Sequence, residues 1–397
     1  MIPVSKAIQI VKNETTPLGE ETVKLARSIG RVLAEDIVAD TDLPPFNRSQ
    51  MDGFAVRAGD VKNVPAILKI AGESAAGRGW HRAMKKGDAV RIMTGAPVPK
   101  GADSVQKVED TEEADGRVTI LESIPKGKNI VQRGAEIKKG ARLFSTGELI
   151  TDRMVASLAS FGYSNVRVAQ RPKVSVLSTG SEIVPVDKKP GRDQIRNSNS
   201  VMLKALSERV GASVKLLPQT GDDLTKLKRT ISSGVGKADI LVITGGVSVG
   251  KYDLTKAALR DLGAEIFFER VRLRPGKPTV FGRLNETLIF GLPGNPVSSA
   301  VTFYLFVRMA ILLLQSARDV GLAKGSAVLA APTRAAKERD TYYPVTLASD
   351  RSGRLIATPL RWQGSSDFVG FANADALIVF PKGDSATAGD VRQIVYL

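Results

Sequence analysis

Ala238-Asp-Ile-Leu-Val-Ile-Thr-Gly-Gly-Val-Ser-Val-Gly-Lys-Tyr-Asp253 is the stretch on which the fold reading turns. Its apolar, β-branched run, Ile240 to Ile243, has the composition of a strand buried on both faces of a parallel sheet. The run breaks at Gly245-Gly246, where the backbone is free to take positive φ and approach a ligand closely. Beyond Asp253 a helical pattern places Leu254, Ala257, Ala258 and Leu262 on one face, with Gly263 as a stop signal. In an open α/β sheet, strand, glycine turn and helix expose backbone N–H groups at the carboxyl edge, where anions bind. The spacing matches neither the dinucleotide fingerprint nor the P-loop, and a tight connection without a ligand would use the same glycines.

The rest of the chain fits around that element. From about residue 172 the pattern alternates β and α, the grammar of a mostly parallel sheet flanked by helices. Lys173 to Leu177 reads as a strand closed by Ser178-Thr-Gly-Ser-Glu182. Gln194 to Asn199 offers caps for a helix over Ser200 to Val210, and Val214 to Leu217 is a strand leading to Gly221-Asp222-Asp223. Glu265 to Arg270 is another, followed by the basic turn Arg272-Leu-Arg-Pro-Gly-Lys-Pro278. Thr287 to Phe290 enters Gly291-Leu-Pro-Gly-Asn-Pro296, where Asn295 is a good cap and Pro296 a good first residue for an apolar helix to about Leu314. Strand exits thus deliver glycine turns carrying Glu182, Asp222, Asp253 and a Lys/Arg cluster. Singly, each carboxylate reads more readily as a helix cap or a solvated loop residue than as a site residue. Together they are the components of a metal-assisted phosphoryl site.

Either side of this region the pattern is β. Short apolar runs between Ala55 and Gly140 (Ala66 to Ile70, Ala89 to Met93, Val118 to Leu121) describe a small β domain. It is entered through Asp42-Leu-Pro-Pro-Phe and the turn Asp52-Gly53. Five runs after Gly321 describe a C-terminal barrel or sandwich. The N-terminal segment opens with a helix over Ser5 to Val11, and Val32 to Val38 is half strand.

Composition bounds the function. A chain of 397 residues implies several domains. It has no cysteine, which excludes disulfides, thiolate chemistry and Cys-based zinc sites. The single histidine, His81, lacks a nucleophile elbow and reads as a surface or packing residue. No secretory pattern opens the chain, and the apolar run Ala300 to Leu314 is interrupted by Arg308. A cytoplasmic protein without a membrane segment is therefore expected. Lys and Arg number 57 against 41 Asp and Glu, a net charge of +16. That excess attracts anions, but it is spread along the chain with no basic block, so specific nucleic-acid binding is not expected.

Taken in order, Asp42-Leu-Pro-Pro-Phe, Met51-Asp-Gly-Phe-Ala-Val, Arg91-Ile-Met-Thr-Gly-Ala-Pro-Val-Pro, Gly101-Ala-Asp, Ser178-Thr-Gly-Ser-Glu, Thr244-Gly-Gly-Val-Ser-Val-Gly, Arg274-Pro-Gly-Lys-Pro and Gly291-Leu-Pro-Gly-Asn-Pro-Val-Ser resemble the molybdopterin molybdotransferase family, the MoeA-type enzymes and the E domain of gephyrin. The resemblance implies a multidomain α/β plus β chain. Its parts would be an N-terminal and linking α+β region (1–53 with 141–171), an inserted β domain (54–140), a molybdopterin-binding α/β domain (172–320) and a C-terminal β-barrel (321–397). It implies a homodimer with its cleft between protomers, and contact with a molybdopterin adenylyltransferase. The implied reaction inserts molybdate into adenylylated molybdopterin and hydrolyses the adenylate with Mg²⁺ or another divalent cation present.

Carried over residue by residue, the resemblance makes Asp52, Thr94, Glu182, Asp222 and Asp253 catalytic, with Glu182, Asp222 and Asp253 also holding the metal. Gly245, Gly246, Ser248, Arg270, Arg274, Pro293 and Pro296 would bind substrate and phosphate, and Lys277, Pro278, Ser298, Arg339 and either Ser365 or Ser366 (Ser366 taken first) the molybdate. Glu136 stands where many relatives have Asp, and Arg270 and Arg274 where Lys is frequent, which exchanges a point charge for a planar fork. The competing readings are a molybdopterin adenylyltransferase, against which the extra β domains and the Arg-Pro-Gly-Lys-Pro turn argue, and a non-enzymatic scaffold of the gephyrin type.

Overall fold

The computed structural model describes residues 1–221, 223–246, 254–361 and 364–397. Met1–Glu35, Thr146–Val155 and Asn165–Leu397 form one compact unit; Asp36–Ser145 and Ala156–Ser164 form the other.

The first unit is built on a sheet of six strands, ordered Ser213–Leu216, Lys173–Ser178, Ile240–Thr244, Thr287–Leu292, Val280–Leu284 and Glu265–Phe268. The first four run parallel, Val280–Leu284 runs antiparallel to both its neighbours, and the edge strand Glu265–Phe268 again points the same way as the first four, so the expected doubly wound, mostly parallel sheet carries one reversed strand. All five residues of Ile240–Thr244 are buried. Alternate side chains serve opposite faces: Ile240 and Val242 join Val174, Val176, Leu288 and Phe290 on one side, while Leu241 and Ile243 join Leu177, Ile289, Leu227, Ile231 and Leu259 on the other. A continuous apolar run is the consequence of covering both faces. Truncating one of these positions to alanine costs about 2–5 kcal/mol.

Strand order reverses between Lys173–Ser178 and Ile240–Thr244: from the former the chain passes to Ser213–Leu216 on one side before returning to the latter on the other. Ligands of open α/β sheets bind outside the carboxyl ends of the strands at such a point. One face of the sheet is covered by the N-terminal helix Val4–Glu14, whose Val4, Ala7 and Val11 share a buried stripe, and by the helix Pro296–Leu314. The latter is long and apolar enough to cross a membrane, with mean hydropathy 2.0, yet 83% of that window is buried inside the protein. It widens to π geometry over Phe303–Val307. Arg308, next in line, donates to the carbonyls of Val320 (3.0 Å) and Gly321 (3.1 Å). Burial, and then repulsion from Arg209, lowers its pKa.

The C-terminal strands close on themselves. Asp340–Ser349 pairs with Leu355–Pro359, then Lys324–Leu329, Val391–Tyr396 and Ala376–Phe380 follow, and the last pairs back to the first. This five-strand barrel leaves no open edge, around a core of Leu329, Val345, Ala357, Ile378, Phe380 and Ile394. Its hairpin turn is held by Asp350, which accepts from the Ser352 hydroxyl (2.7 Å), the Ser352 and Arg354 amides (2.9 Å each) and Arg354 Nε (2.9 Å). The Ser352 hydroxyl leads in pulling the carboxyl pKa from 3.8 down to about 2. Because the folded value is the lower one, this contribution to stability is fully present above 3.8 and disappears as pH falls through about 2. Carbon-detected NMR titration is expected to place the Asp350 midpoint near 2; an ordinary carboxylate midpoint would refute the turn network.

The second unit holds another six-stranded sheet, ordered Ser104–Lys107, Gly53–Val56, Asp88–Ile92, Ala66–Ser74, Arg117–Ile120 and Thr111–Ala114. The Asp-Gly turn at its entrance needs its glycine. Gly53 has φ 152°, and a Cβ there would lie 2.0 Å from the Gln106 carbonyl oxygen. Asp42, at the head of the Leu-Pro-Pro-Phe entry, accepts from Arg133 Nε (2.6 Å) and the Lys139 amide (2.8 Å). The Lys139 bond leads in lowering its pKa.

Candidate functional site

Three glycine turns meet at the carboxyl edge of the α/β sheet. Thr179, just past the first strand, donates its amide to the Thr244 carbonyl at the end of the central strand (2.9 Å). Gly245 follows with φ 93°, its amide bonded to the Leu292 carbonyl (3.2 Å). A Cβ on Gly245 would lie 2.5 Å from the Thr179 carbonyl oxygen, so only glycine lets these strand ends approach so closely. On the other side, a Cβ on Gly294 would lie 3.7 Å from the Gly245 Cα. Two helices begin on this crest: Ser198–Arg209, capped by Asn197 accepting from the Ser200 amide (3.1 Å), and Pro296–Leu314, with proline at its first position. Glu182 is exposed and folds back over the crest, its carboxylate 2.4 Å from where a Cβ on Gly180 would stand.

A cationic corner lies along the same helix. Arg274 and Lys277 are exposed on the turn that follows the short strand Leu273–Arg274. Gly276 sits so close to Thr302 that a Cβ would come within 2.5 Å of its methyl. The Thr302 hydroxyl donates back to the carbonyl of Ser298 (2.8 Å), a residue only 4% exposed. Leu273–Arg274 runs parallel to the start of the barrel strand, pairing Leu273 with Asp340 and Arg274 with Thr341, which brings Arg339 into the neighbourhood. The turn's internal bonds, Thr279 hydroxyl to Gly276 carbonyl (2.6 Å) and Val271 amide to Lys277 carbonyl (3.0 Å), fix its shape.

The structure therefore gathers Gly245, Gly246, Pro293 and Pro296 at the crest, and Arg274, Lys277, Pro278 and Ser298 at the corner, with one helix between them. Arg270 is exposed upstream of the basic turn, its carbonyl accepting the Ile2 amide (3.1 Å). Of the two serines near residue 365, Ser365 meets the helix: its hydroxyl accepts from Asn295 (2.7 Å) and its carbonyl from the Val297 amide (3.1 Å). Ser366 is exposed, and its carbonyl accepts the Phe368 amide (2.9 Å). Asp222, Ser248 and Asp253 lie outside the described residues. In the second unit, Asp52 Oδ1 accepts from the Thr94 amide (2.7 Å) and hydroxyl (3.1 Å), which pins the Met93-Thr94-Gly95 turn beside the Asp-Gly entrance. Glu136, the lengthened acid, pairs with Arg48 (3.0 Å).

Among the described residues no group of three or more His, Asp or Glu side chains could hold a metal ion. Only Glu182 of the expected metal acids is described, and one carboxylate does not make a site for a divalent cation. Sequence reading also passed over Asn199, which bridges two of the turns. It stood in a run of capping residues, and nothing local separates the one that caps from the one that reaches across the sheet.

The fold and crest define an open-sheet α/β protein, its glycine turns gathered where strand order reverses, that carries two all-β modules. Three family models match in register: the MoeA N-terminal region (domain I and II) over residues 2–162, the "Probable molybdopterin binding domain" over 175–312, and the MoeA C-terminal region (domain IV) over 326–396. The molybdopterin molybdenumtransferase of Bacillus subtilis (strain 168) is 36% identical over 398 residues, spanning 96% of this chain and 90% of that protein. The enzyme of the same name from Staphylococcus aureus (strain COL) is 34% identical over 386 residues, spanning 96% and 92%. Among solved structures, the molybdopterin biosynthesis MoeA protein of Pyrococcus horikoshii superposes with a TM-score of 0.85 at 32% identity, over 100% of this chain and 99% of that one. The chain belongs to the MoeA family, the molybdopterin molybdenumtransferases of molybdenum cofactor biosynthesis.

Proposed function

We propose that this chain inserts molybdate into adenylylated molybdopterin and hydrolyses the adenylate. Water adds to phosphorus, the P–O–P bridge breaks and AMP leaves. Two Mo–S bonds form as one oxo ligand of molybdate departs as water with the two thiol protons. The single observation that carries this reading is the helix Pro296–Leu314, whose first turns join a glycine crest suited to a phosphate or pterin to a basic corner suited to an oxyanion. Backbone N–H groups of the crest would hold the nucleotide. Arg274, Lys277 and Ser298 would hold molybdate, with Arg339 and Pro278 shaping its surroundings.

The same reading assigns Mg²⁺ to Glu182 with Asp222 and Asp253; because only one of these acids is described, no step is derived through it. It makes the active form a homodimer in which Asp52 and Thr94 of one protomer serve the α/β domain of its partner, with contact to the adenylyltransferase that supplies the substrate. A cytoplasmic location belongs to the same proposal.

Reconstitution tests it. Purified protein, adenylylated molybdopterin and molybdate are expected to yield AMP and a cofactor that activates an apo-molybdoenzyme. MgATP with free molybdopterin is expected to yield no adenylylation. AMP transfer in the second mixture with none released in the first would replace this reading with the adenylyltransferase one.

A further inference from the structure

Asn199 occupies the first turn of Ser198–Arg209 and is 9% exposed. Its Nδ2 donates to the Thr244 hydroxyl (2.9 Å) and to the Gly294 carbonyl (2.7 Å). The Thr244 hydroxyl in turn donates to the Pro293 carbonyl (3.3 Å). A carbonyl can only accept, so the Gly294 bond fixes which end of the amide faces the crest. Oδ1 is then left buried with no partner. Leaving a buried acceptor unmet is unfavourable, so the two bonds donated by Nδ2 to the strand ends are what hold the amide in this orientation. Two further buried hydroxyls without partners belong to Thr220, in the loop past Ser213–Leu216 where it bridges Thr179, and to Ser299, in the first turn of the helix Pro296–Leu314.

From this arrangement we infer that Asn199 is a positioning residue for the reaction: it sets the separation of the Thr244-Gly245 and Pro293-Gly294 turns, and through them the grip on the pterin nucleotide. The inference rests on the proposed function for its ligand but not for its geometry. One side chain ties the ends of two neighbouring parallel strands, and Gly245 and Gly294 are the residues immediately beyond or at those ties. The basic corner is outside its reach, held by its own bonds through Thr279 and Thr302.

Asn199→Ala is expected to weaken binding of adenylylated molybdopterin at least tenfold while leaving the molybdate concentration for half-maximal turnover within twofold. Amide hydrogen exchange in the ligand-free protein should accelerate at least tenfold at Gly245, bonded to the Leu292 carbonyl, and at Thr179, bonded to the Thr244 carbonyl, with exchange at Val90 in the inserted sheet unchanged. Asn199→Asp is nearly the same shape but turns the donor into an acceptor. Its carboxyl, desolvated beside a carbonyl, should titrate above the usual range, and protonation would restore one donor. Its binding defect is therefore expected to shrink as pH falls from 8 to 5.5, a pH dependence the wild type lacks. Unchanged exchange together with unchanged nucleotide affinity in Asn199→Ala would overturn the inference, as would equal losses for nucleotide and molybdate. Should Asn199→Ala fail to fold, Thr244→Val removes the relaying hydroxyl while keeping the branched shape, and is read by the same measurements. A wild-type protein that does not bind adenylylated molybdopterin would refute the functional reading, while the exchange data would still decide whether Asn199 sets the turns.

Discussion

Gly245→Ala is expected to lower kcat/KM for AMP release at least 100-fold while moving the melting temperature by only a few degrees. Two costs combine at this position. With φ at 93°, an L-residue takes on roughly 1–2 kcal/mol of local strain. The added methyl would also lie 2.5 Å from the carbonyl oxygen of Thr179 and 2.9 Å from its hydroxyl. The carbonyl is backbone and cannot rotate aside, and Thr179 is itself tied to Thr244. The strand ends must therefore separate, and a displacement approaching 1 Å near a reacting group is worth about 100-fold in rate. The hydrophobic faces of the sheet, where most of the stability resides, are not touched. Gly236→Ala is the matched control. That glycine has φ −68° and open space around it, so alanine should be neutral or stabilise by about 0.4–1 kcal/mol. Steady-state AMP release and thermal melts on both variants decide the matter; Gly245→Ala within threefold of wild type would refute the role given to the crest.

The same contrast explains what was legible in the sequence. Ile240 to Ile243 announced itself because a strand covered on both faces must be apolar throughout, and that is a property of four adjacent letters. The barrel strands and the Pro296 helix start were legible for the same local reason. The helix Leu224–Val235 was not, although Leu227, Ile231 and Val235 lie on one face and Asp223 caps it by accepting from the Lys226 amide. Its Thr, Lys, Arg and Ser residues dilute the apolar stripe, and the preceding Gly-Asp-Asp reads as a loop. The antiparallel strand Val280–Leu284 escaped because a Pro-Gly-Lys-Pro turn masks where the strand begins.

At the site, residue types were readable and their company was not. No spacing rule places Gly276 against Thr302 or joins Asp52 to Thr94, because such contacts depend on strand order. For Arg274, Lys277 and Ser298 the grouping came from resemblance, not from spacing. Resemblance left Ser365 and Ser366 both open; of the two, Ser365 is the one that bonds Asn295.

The basic corner is where the second large effect is expected. Arg274→Ala with Lys277→Ala should raise the molybdate concentration for half-maximal turnover about 100-fold, with adenylylated molybdopterin binding changed far less. A charge-assisted hydrogen bond contributes about 1.5–3 kcal/mol when shielded from water. Both side chains are exposed, and solvent and salt reduce that figure toward the lower end or below it. About tenfold per residue is a reasonable expectation, since 1.4 kcal/mol is a factor of ten. The two effects should add approximately if each holds a different oxygen. Saturating molybdate should restore most of the turnover, because the cations act on capture of the oxyanion. Arg274→Lys separates charge from shape: it keeps the positive charge and loses the planar fork, so a several-fold loss would show that geometry matters at this position. Raising the salt concentration should weaken molybdate capture in the wild type more than in the double variant. If the double variant uses low molybdate as well as wild type does, the anion is held elsewhere, and the Arg-Pro-Gly-Lys-Pro turn serves only to dock the α/β sheet on the barrel through Leu273 and Arg274.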